Sequence, residues 1–319
     1  MQVFRDLADV PHDFGRTLVT VGNFDGVHLA HRAVIKSLVE RAKKEHARSV
    51  VLTFDPHPLR VLRPERAPKL ITPTPIKLKL LAETGLDAVA LLPFSSYVAK
   101  MSPTEFAETI LAKGLRAIEV HEGFNFRFGH RAEGDVERLR ELGKALGFEV
   151  VIYPPRRLRG HIVSSSQIRK FIQSGHMDAA RRLLGRPFSI LSTPARGRGY
   201  GAQYAVPTIN LDRYDELIPC HGVYVTQLRI GGELFQGVTN VGNRPTFGED
   251  SFAIESHLLN FHPVDLGPET PLQLYFLKRL RPEHRFPSPD ALRQQIMKDV
   301  ERTRRYFQLL ERFSSSLVR

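Results

Sequence analysis

Cysteine, tryptophan and long apolar runs are scarce or missing in this sequence. The chain has 319 residues, with a single cysteine at Cys220 and no tryptophan. One cysteine excludes a disulfide framework within the chain and a cluster of thiolate metal ligands. No apolar run approaches the ~20 residues needed to cross a bilayer, and the first residues lack the basic-then-apolar order of a signal peptide. We therefore expect a cytoplasmic protein with no membrane partner.

Charge is the feature that departs most from an average composition. Lysine and arginine total 46 against 34 aspartate and glutamate residues, which gives a formal net charge of +12 and a pI near 10.0. Such an excess predicts anionic partners: nucleic acid, a membrane surface or phosphorylated small molecules. The sequence carries no zinc-finger, basic-zipper or RNA-recognition signature. The basic residues between 278 and 319 have the spacing of a solvated helix face, so nucleic acid is not the expected partner.

The first half of the chain alternates strand and helix patterns. Apolar runs typical of buried strands fall at Thr17–Val21, Ser49–Phe54, Asp87–Leu92, Ala117–Val120 and Glu149–Tyr153. Helical spacing separates them, in segments that open near His28, run over residues 76–84, and extend from Asp135 to Leu146. Strands that alternate with helices predict a doubly wound parallel α/β sheet of the Rossmann-like kind.

The pattern of predicted secondary structure changes near residue 187, from alternating strands and helices to short alternating strands. Two strand patterns, at Gly222–Ile230 and Leu234–Val241, flank the pair Gly231-Gly232, which predicts a tight hairpin. Further strand patterns follow at residues 253–261 and 272–277, and a helical pattern runs from residue 288 to about residue 310. We expect a first domain over residues 1–186, and a small antiparallel β-barrel with a terminal helix over residues 187–319.

The strongest motif follows the first predicted strand, where Gly22-Asn-Phe-Asp-Gly-Val-His28 leads to His31. Glycines permit a tight turn, and the free N–H groups and dipole of the helix that opens at His28 favour phosphate. His28 and His31, three residues apart, share one helix face, from which both can donate hydrogen bonds to phosphate oxygens. A histidine pair on an ordinary amphipathic helix is the alternative, but the strand and glycine turn favour a phosphate site.

This motif resembles the H-x-G-H signature of nucleotidyltransferases, in the version found in the adenylyltransferase domain of prokaryotic FAD synthetases. The second signature of that superfamily is similar to Val163-Ser-Ser-Ser-Gln-Ile-Arg169, where serines can cap a helix and bind phosphate and Arg169 can clamp it. The resemblance implies catalytic roles for His28, His31 and Arg169. It implies nucleotide contacts for Gly22, Asn23, Phe24, Asp25, Ser164, Ser165 and Ser166. Ala30 departs from the glycine of the signature, which we expect to tune the rate.

Two further loops resemble the flavin-binding loops of the same family. They are Phe54-Asp-Pro-His-Pro58 and Phe124-Asn-Phe-Arg-Phe-Gly129, and each follows a predicted strand. Open α/β sheets bind ligands at the carboxyl ends of their strands, and aromatic residues suit a flat isoalloxazine ring. The resemblance implies that Asp55, His57, Asn125 and Phe128 lie near FMN. His121-Glu122 replaces a usually apolar approach to Gly123, a departure we expect to be tolerated.

The second half carries Val206-Pro-Thr-Ile-Asn-Leu211, which resembles the P-T-A-N motif of riboflavin kinases. In an extended segment Thr208 and Asn210 point to the same side, where two neutral oxygens suit Mg²⁺ together with nucleotide phosphates. A cross-strand Thr/Asn hydrogen-bond pair is the alternative. A glycine-rich loop upstream could support phosphates through Gly197, Gly199 and Gly201. Ala202 and Ala205 depart from the family pattern there, which bears on the strength of ATP binding.

Glu255 is the candidate general base of this second half. It lies in Ile254-Glu-Ser-His-Leu-Leu-Asn-Phe261, which resembles a riboflavin kinase signature, as does Gly237–Gly248 before it. By resemblance, Glu255 accepts the proton of the riboflavin 5′-hydroxyl during attack on the γ-phosphate of ATP. A glutamate on the polar face of a half-buried strand is the alternative.

Together the motifs resemble the bifunctional FAD synthetase family over residues 15–310. The resemblance implies a riboflavin kinase and FMN adenylyltransferase with ATP as co-substrate and Mg²⁺ as cofactor. We expect a monomer or weak homo-oligomer as the working form. Retention of only one activity, or a non-catalytic flavin-binding or nucleic-acid-binding protein on the same scaffold, are the alternatives.

Overall fold

A computed structural model of the chain describes residues 1–195, 208–243 and 252–316. It divides into two compact units, Met1–Gln167 and Ile168–Arg319. Among the described residues, no helix combines the length and the apolar character that a membrane span requires.

The first unit is built around a six-stranded parallel sheet. Its strands are β1 (Gln2–Phe4), β2 (Thr17–Val21), β3 (Arg48–Phe54), β4 (Ala88–Leu92), β5 (Ala117–Gly123) and β6 (Glu149–Tyr153). Its helices are α1 (Leu29–Lys44), α2 (Pro58–Leu62), α3 (Thr74–Ala82), α4 (Ser96–Lys100), α5 (Pro103–Glu105), which continues as a π-helix over Phe106–Gly114, and α6 (Val136–Leu146). A short hairpin of β7 (Arg157–Leu158) and β8 (His161–Ile162) follows. The predicted parallel α/β sheet is confirmed.

Both faces of this sheet are covered, as alternate residues of β2 illustrate. Leu18 packs in one apolar cluster with Ile35 and Leu38 of α1, while Val19 packs in a second cluster with Ile110 and Leu139. Burial at three- and four-residue spacing is what makes α1 a helix with one core face. The two apolar layers hold β2 rigidly between them.

The strand order places a ligand-binding crevice next to β2. The order across the sheet is β1-β4-β3-β2-β5-β6, so the chain leaves β2 toward β3 on one side and returns to β5 on the other. Ligands bind outside the carboxyl ends of the strands at such a reversal. The carboxyl ends of β2, β3 and β5 are neighbours at one edge of the sheet, where this rule predicts a ligand site.

The second unit is an antiparallel barrel with helices before and after it. Helix α7 (Ser165–Gln173) spans the division between the units, and α8 (Met177–Leu184) packs on β9 and β14. The strands are β9 (Phe188–Ser192), β10 (Thr208–Leu211), β11 (Gly222–Ile230), β12 (Glu233–Asn243), β13 (Phe252–Leu258) and β14 (Leu272–Arg281). Their order is β10-β13-β12-β11-β14-β9. A bridge between Pro194 and Leu211 joins the two ends of the sheet, which confirms the predicted barrel.

The barrel is polar inside at one place and apolar where its terminal helix docks. Thr226, Thr239 and Ser256 are fully buried and form a chain of hydroxyl hydrogen bonds across three strands, at 2.7 and 3.0 Å. Helix α9 (Pro289–Ser316) buries Val300 against Val223 and Val238 on the strands. The predicted hairpin at residues 231–232 is present, with Ile230 paired to Glu233.

Candidate active sites

The loop between β2 and α1 has an unusual backbone. Phe24, Gly26 and Val27 have φ angles of 49°, 90° and 39°, in the left-handed region that side chains other than glycine rarely adopt. Two of these residues are not glycine, and such strain persists only where the surrounding structure imposes it. The Phe24 ring is buried and packs against the His31 ring with centroids 4.9 Å apart. Phe24 therefore supports the loop from within the core.

His28 begins helix α1 in the way the sequence predicts. It is the N-cap residue: its carbonyl accepts from Arg32 N, and its Nδ1 accepts from the backbone N–H of His31 at 3.3 Å. Because Nδ1 accepts, a neutral His28 carries its proton on Nε2 and can donate from that atom. The His28 and His31 rings are stacked, with centroids 3.5 Å apart and planes 15° apart. The two imidazoles thus form one unit at the start of α1.

Asp25 contacts a neighbouring loop with its carboxylate. The two oxygens accept from the backbone N–H groups of Ile71 and Thr72 at 3.1 and 2.9 Å, and the side chain is 4% exposed. These bonds fix the segment that leads into α3 against the loop after β2. The predicted nucleotide contact of Asp25 stays a prediction, and its observed contacts are structural.

The second signature meets the first through a serine. Ser165 Oγ donates to the carbonyl of Asp25 at 2.7 Å, and Ser164 Oγ accepts from the backbone N–H of Gln167 at 3.3 Å, which caps α7. Ser166 is the next residue of α7, and Arg169 follows it one turn later on the same helix. A direct hydrogen bond therefore joins the two signatures.

Arg156 is a cation at this site that the motifs did not single out. Its Nη1 donates to the carbonyl of Leu29, the first residue of α1, at 3.2 Å. Its guanidinium therefore lies beside the helix start that His28 caps. The arginine precedes the second signature without belonging to it, so no spacing rule identified it.

The predicted flavin residues lie at two loops with different exposure. Asp55 and His57 line a small open pocket after β3, and His57 caps α2 through Nδ1, which accepts from Leu59 N at 3.2 Å. Asn125 is exposed. Phe128 is 6% exposed and packs between Phe106 and Phe126 in the core.

Lys77 completes the lining of that pocket. The pocket is formed by Asn23, Asp25, Phe54, Asp55, His57, Leu70, Thr72, Thr74 and Lys77. The Lys77 side chain is 6% exposed, and its Nζ donates to the carbonyl of Asn23 at 3.4 Å and to Thr53 Oγ1 at 3.3 Å. Burial lowers the pKa of the Lys77 ammonium, and the negative charges of Asp55 and Asp25 partly oppose that shift.

The barrel brings Thr208, Asn210 and Glu255 onto one face. Strand β10 pairs with β13 so that Thr208 lies opposite His257 and Asn210 opposite Glu255. On its other side Glu255 lies opposite Asn240 of β12. All five residues are half-buried, whereas their neighbours Ile254 and Ser256 face the interior. Side chains directly opposite each other share a sheet face, so these five polar groups lie on one face, with Asn210, Glu255 and Asn240 in a row across three strands and the Thr208–His257 pair beside it.

His257 is a member of this polar face that sequence reasoning missed. Its Nδ1 lies 2.7 Å from Thr208 Oγ1. Burial lowers the pKa of His257, and the nearby carboxylate of Glu255 partly opposes that shift. A neutral imidazole at this distance orients the Thr208 hydroxyl.

The donor set of this face is compatible with Mg²⁺ bound together with phosphates. Hydroxyl and amide oxygens of Thr208 and Asn210 are hard ligands, and Mg²⁺ sites commonly combine few protein oxygens with substrate phosphates. Among the described residues no group of three or more His, Cys, Asp or Glu side chains is placed to hold a metal by itself. Gly197, Gly199 and Gly201, with Ala202 and Ala205, lie outside the described residues.

Comparison with known proteins finds two family models that match successive parts of the chain. The FAD synthetase family model matches residues 10–167, and the riboflavin kinase family model matches residues 184–307. The bifunctional riboflavin kinase/FMN adenylyltransferase of Pseudomonas fluorescens is 36% identical over 95% of this chain and 97% of its own length. The protein of the same description from Escherichia coli K12 is 34% identical over 92% of this chain and 93% of its own.

A solved structure has the same fold over nearly the whole chain. It comes from Streptococcus pneumoniae, is described as a macrolide-efflux protein, and superposes with a TM-score of 0.84 at 28% identity, over 95% of this chain and 98% of that one. Its description names a different activity from the curated relatives, which are more similar in sequence and agree with both family models. We follow the relatives and the family models: this chain belongs to the family of bifunctional riboflavin kinase/FMN adenylyltransferases.

Proposed function

We propose that this chain makes FAD from riboflavin in two ATP-dependent reactions carried by separate sites. Residues 1–186 transfer the adenylyl group and residues 187–319 phosphorylate riboflavin. The order of the two matching family models along the chain supports this division. The observation that carries the adenylyl-transfer site is the stacked His28–His31 pair at a helix start that a serine of the second signature ties to the same loop.

In the barrel, the first reaction moves the γ-phosphoryl group of ATP to riboflavin. The oxygen of the 5′-hydroxyl attacks the γ-phosphorus, the bond from that phosphorus to the β–γ bridging oxygen breaks, and ADP leaves. Glu255 accepts the hydroxyl proton as general base. Its place opposite Asn210 keeps the proton acceptor next to the residue that we assign to the metal.

Thr208 and Asn210 would hold Mg²⁺ in this reaction. When bound, the ion neutralises charge on the phosphates and helps to orient them. His257 supports this arrangement by holding the Thr208 hydroxyl in one orientation. Gly197, Gly199 and Gly201 are the phosphate-loop residues that we assign to the same site on resemblance.

In the α/β unit, the second reaction joins FMN to AMP. An oxygen of the FMN phosphate attacks the α-phosphorus of ATP, the bond to the α–β bridging oxygen breaks, and pyrophosphate leaves. The Nε2–H of His28 donates to the phosphate oxygens on which negative charge accumulates, with His31 and Arg169 as further donors. Positioning and charge stabilisation carry the step without a covalent enzyme intermediate. Asp55, His57, Asn125 and Phe128 are the residues we assign to the flavin side.

The charge of the chain is consistent with these substrates. ATP, FMN, FAD and pyrophosphate are anions, and a net charge of +12 favours their association with the protein. Because both reactions use ATP and all the assigned side chains come from one chain, we propose a cytoplasmic enzyme that works as a monomer or weak homo-oligomer.

Product analysis by chromatography tests the proposal. The full chain is incubated with riboflavin, ATP and MgCl₂, and the flavins are separated over time. We expect FMN to appear before FAD, with ADP and pyrophosphate as co-products, and we expect an excess of chelator to stop both steps. Accumulation of FMN alone would show that only the kinase is active. Flavin binding without conversion would support the non-catalytic alternative.

A further inference from the structure

Lys77 is a buried cation that faces the pocket lined by Asp25 and Asp55. Among the described residues, no carboxylate lies at ion-pair distance from its Nζ. Its two hydrogen-bond partners, the Asn23 carbonyl and Thr53 Oγ1, are neutral and lie at 3.4 and 3.3 Å. A buried charge with only neutral partners is costly unless a counter-ion completes its surroundings. Lysine has three donor hydrogens, so one remains for a further acceptor.

The position of Lys77 identifies the kind of acceptor. Asn23 comes from the loop after β2, which leads to His28, and Asp55 and His57 come from the loop after β3 on the other side of the same pocket. In the proposed function the first loop serves the nucleotide and the second serves the flavin. Lys77 therefore lies where the phosphate of one substrate meets the phosphate of the other.

Hydrogen bonds at the start of α3 hold Lys77 in this position. Asp25 holds the backbone of Ile71 and Thr72 directly before the helix, and Lys77 N donates to the carbonyl of Pro73 in its first turn. The backbone carbonyl of Asp25 also accepts a hydrogen bond from Ser165 Oγ of the second signature. One residue thus connects the lysine helix to both nucleotide motifs.

We propose that the Lys77 ammonium binds a phosphate group of the substrates that are joined in the α/β unit, as a site residue additional to the two motifs. This inference rests on the proposed adenylyl transfer. The ligand chemistry is a phosphate oxygen anion, and its two possible sources are the FMN phosphate and the polyphosphate of ATP. The bond gives Lys77 an anionic partner at hydrogen-bond distance, in addition to the longer-range attraction of Asp55 and Asp25, and positions the phosphate between the two loops.

The test compares Lys77→Met, Lys77→Arg and the matched control Lys79→Met in the full chain. Lys79 is an exposed lysine on the same helix, so its variant removes an equal charge away from the pocket. FAD formation is started from FMN and ATP, which bypasses the kinase, and the KM values for both substrates are measured. Inhibition by pyrophosphate and by lumiflavin, a flavin without a phosphate, is measured on the same proteins.

We expect Lys77→Met to lower kcat/KM for FAD formation by about 10- to 100-fold, the scale for a hydrogen bond to a charged group. Lys77→Arg should recover part of the loss, and Lys79→Met should match the wild type. A rise confined to the KM for FMN identifies the flavin phosphate as the ligand. A rise in the KM for ATP with weaker inhibition by pyrophosphate identifies the polyphosphate. In both cases lumiflavin should inhibit as in the wild type.

Two results would overturn the inference. One is unchanged kinetics of Lys77→Met. The other is a loss in which lumiflavin inhibition and the thermal midpoint fall together, since that pattern assigns Lys77 to the fold. Removal of a buried, unpaired charge should leave the midpoint equal or higher. Absence of FAD formation by the wild type would instead contradict the proposed function, so the two failures are distinguishable.

Discussion

Glu122 provides a test of how burial controls ionisation next to the loop after β2. Its side chain is 3% exposed, and Oε1 accepts from the backbone N–H of Val21 at 2.6 Å. Burial raises the pKa of Glu122 well above its usual value, and the backbone N–H groups of Val21 and Gly123 oppose that shift only in part. The carboxyl group is therefore harder to ionise in the folded protein than in the unfolded chain.

The sign of the resulting pH dependence follows from this raised pKa. The unfolded pKa is about 4.3. Below it both states are protonated, and the contribution of Glu122 to stability is complete. As the pH rises toward the folded pKa, the unfolded state releases its proton first and stability is lost. Each unit between the two pKa values costs about 1.4 kcal/mol, which is roughly 3–6 °C in the thermal midpoint of a domain of this size.

Glu122→Gln keeps an oxygen for the Val21 N–H and removes the titration. We expect its thermal midpoint, measured by calorimetry in the α/β unit, to rise relative to the wild type as the pH increases from 4.5 to 8.5. Glu133→Gln is the control, because Glu133 is exposed and its replacement should leave the pH dependence unchanged. Parallel midpoint curves for Glu122→Gln and the wild type over this range would refute the reasoning.

Four further outcomes are expected. His28→Ala should lower FAD formation from FMN by ~100-fold or more, the scale for one preorganised donor. Glu255→Gln should lower riboflavin phosphorylation by ~10²–10⁴-fold. In each variant the other reaction, assayed in the same tube, should stay near the wild-type rate, and equal loss of both reactions would indicate misfolding. Asp25→Asn should cost about 1–3 kcal/mol in urea unfolding of the α/β unit, because the neutral amide keeps one acceptor oxygen and its NH2 leaves the other buried N–H group without an acceptor. An unchanged midpoint would remove Asp25 as a support of α3. A fragment of residues 168–319 should form FMN but no FAD, and should unfold at a higher temperature than residues 188–319, which lack the α8 packing on β9 and β14; FAD formation by either fragment would contradict the placement of the adenylyl-transfer site.

The sequence pattern predicts the frame of the molecule well where local signals are strong. Strands β2, β6 and β11 have the bounds that their apolar runs predict, and His28 caps α1 as the turn chemistry requires. Strand β1 was not predicted, because three residues carry too little periodicity to be distinguished from a loop. The C-terminal helix continues to residue 316, beyond the predicted end near residue 310, and its residues Phe307 and Leu310 pack against the barrel.

The site is less predictable, because its contacts join residues that are far apart in the chain. Lys77 contacts Asn23, which lies 54 positions away in the chain, and the sequence of α3 does not show which of its two lysines is buried. The Asp25 carboxylate has its partners at residues 71 and 72, so its role in fixing α3 depends on tertiary structure. Phe128 shows a further case: it belongs to a flavin-like motif, but its ring packs in the core, so its place near the flavin stays a prediction. The sequence identifies a motif, whereas the burial and contacts of each residue depend on the folded structure.

The hydroxyl chain inside the barrel has a consequence for the face outside it. Thr239 pairs directly with Ser256, and Ser256 is adjacent to Glu255, which points to the opposite side of the strand. A shift of β13 by two residues would place Ser256 opposite Val241 or Gly237. Buried hydroxyl groups would then lack hydrogen-bond acceptors, at a cost of about 1–3 kcal/mol of stability for each group. The interior hydroxyls therefore fix the register of the strands. That register is the one that places Asn240, Glu255 and Asn210 in line on the outer face.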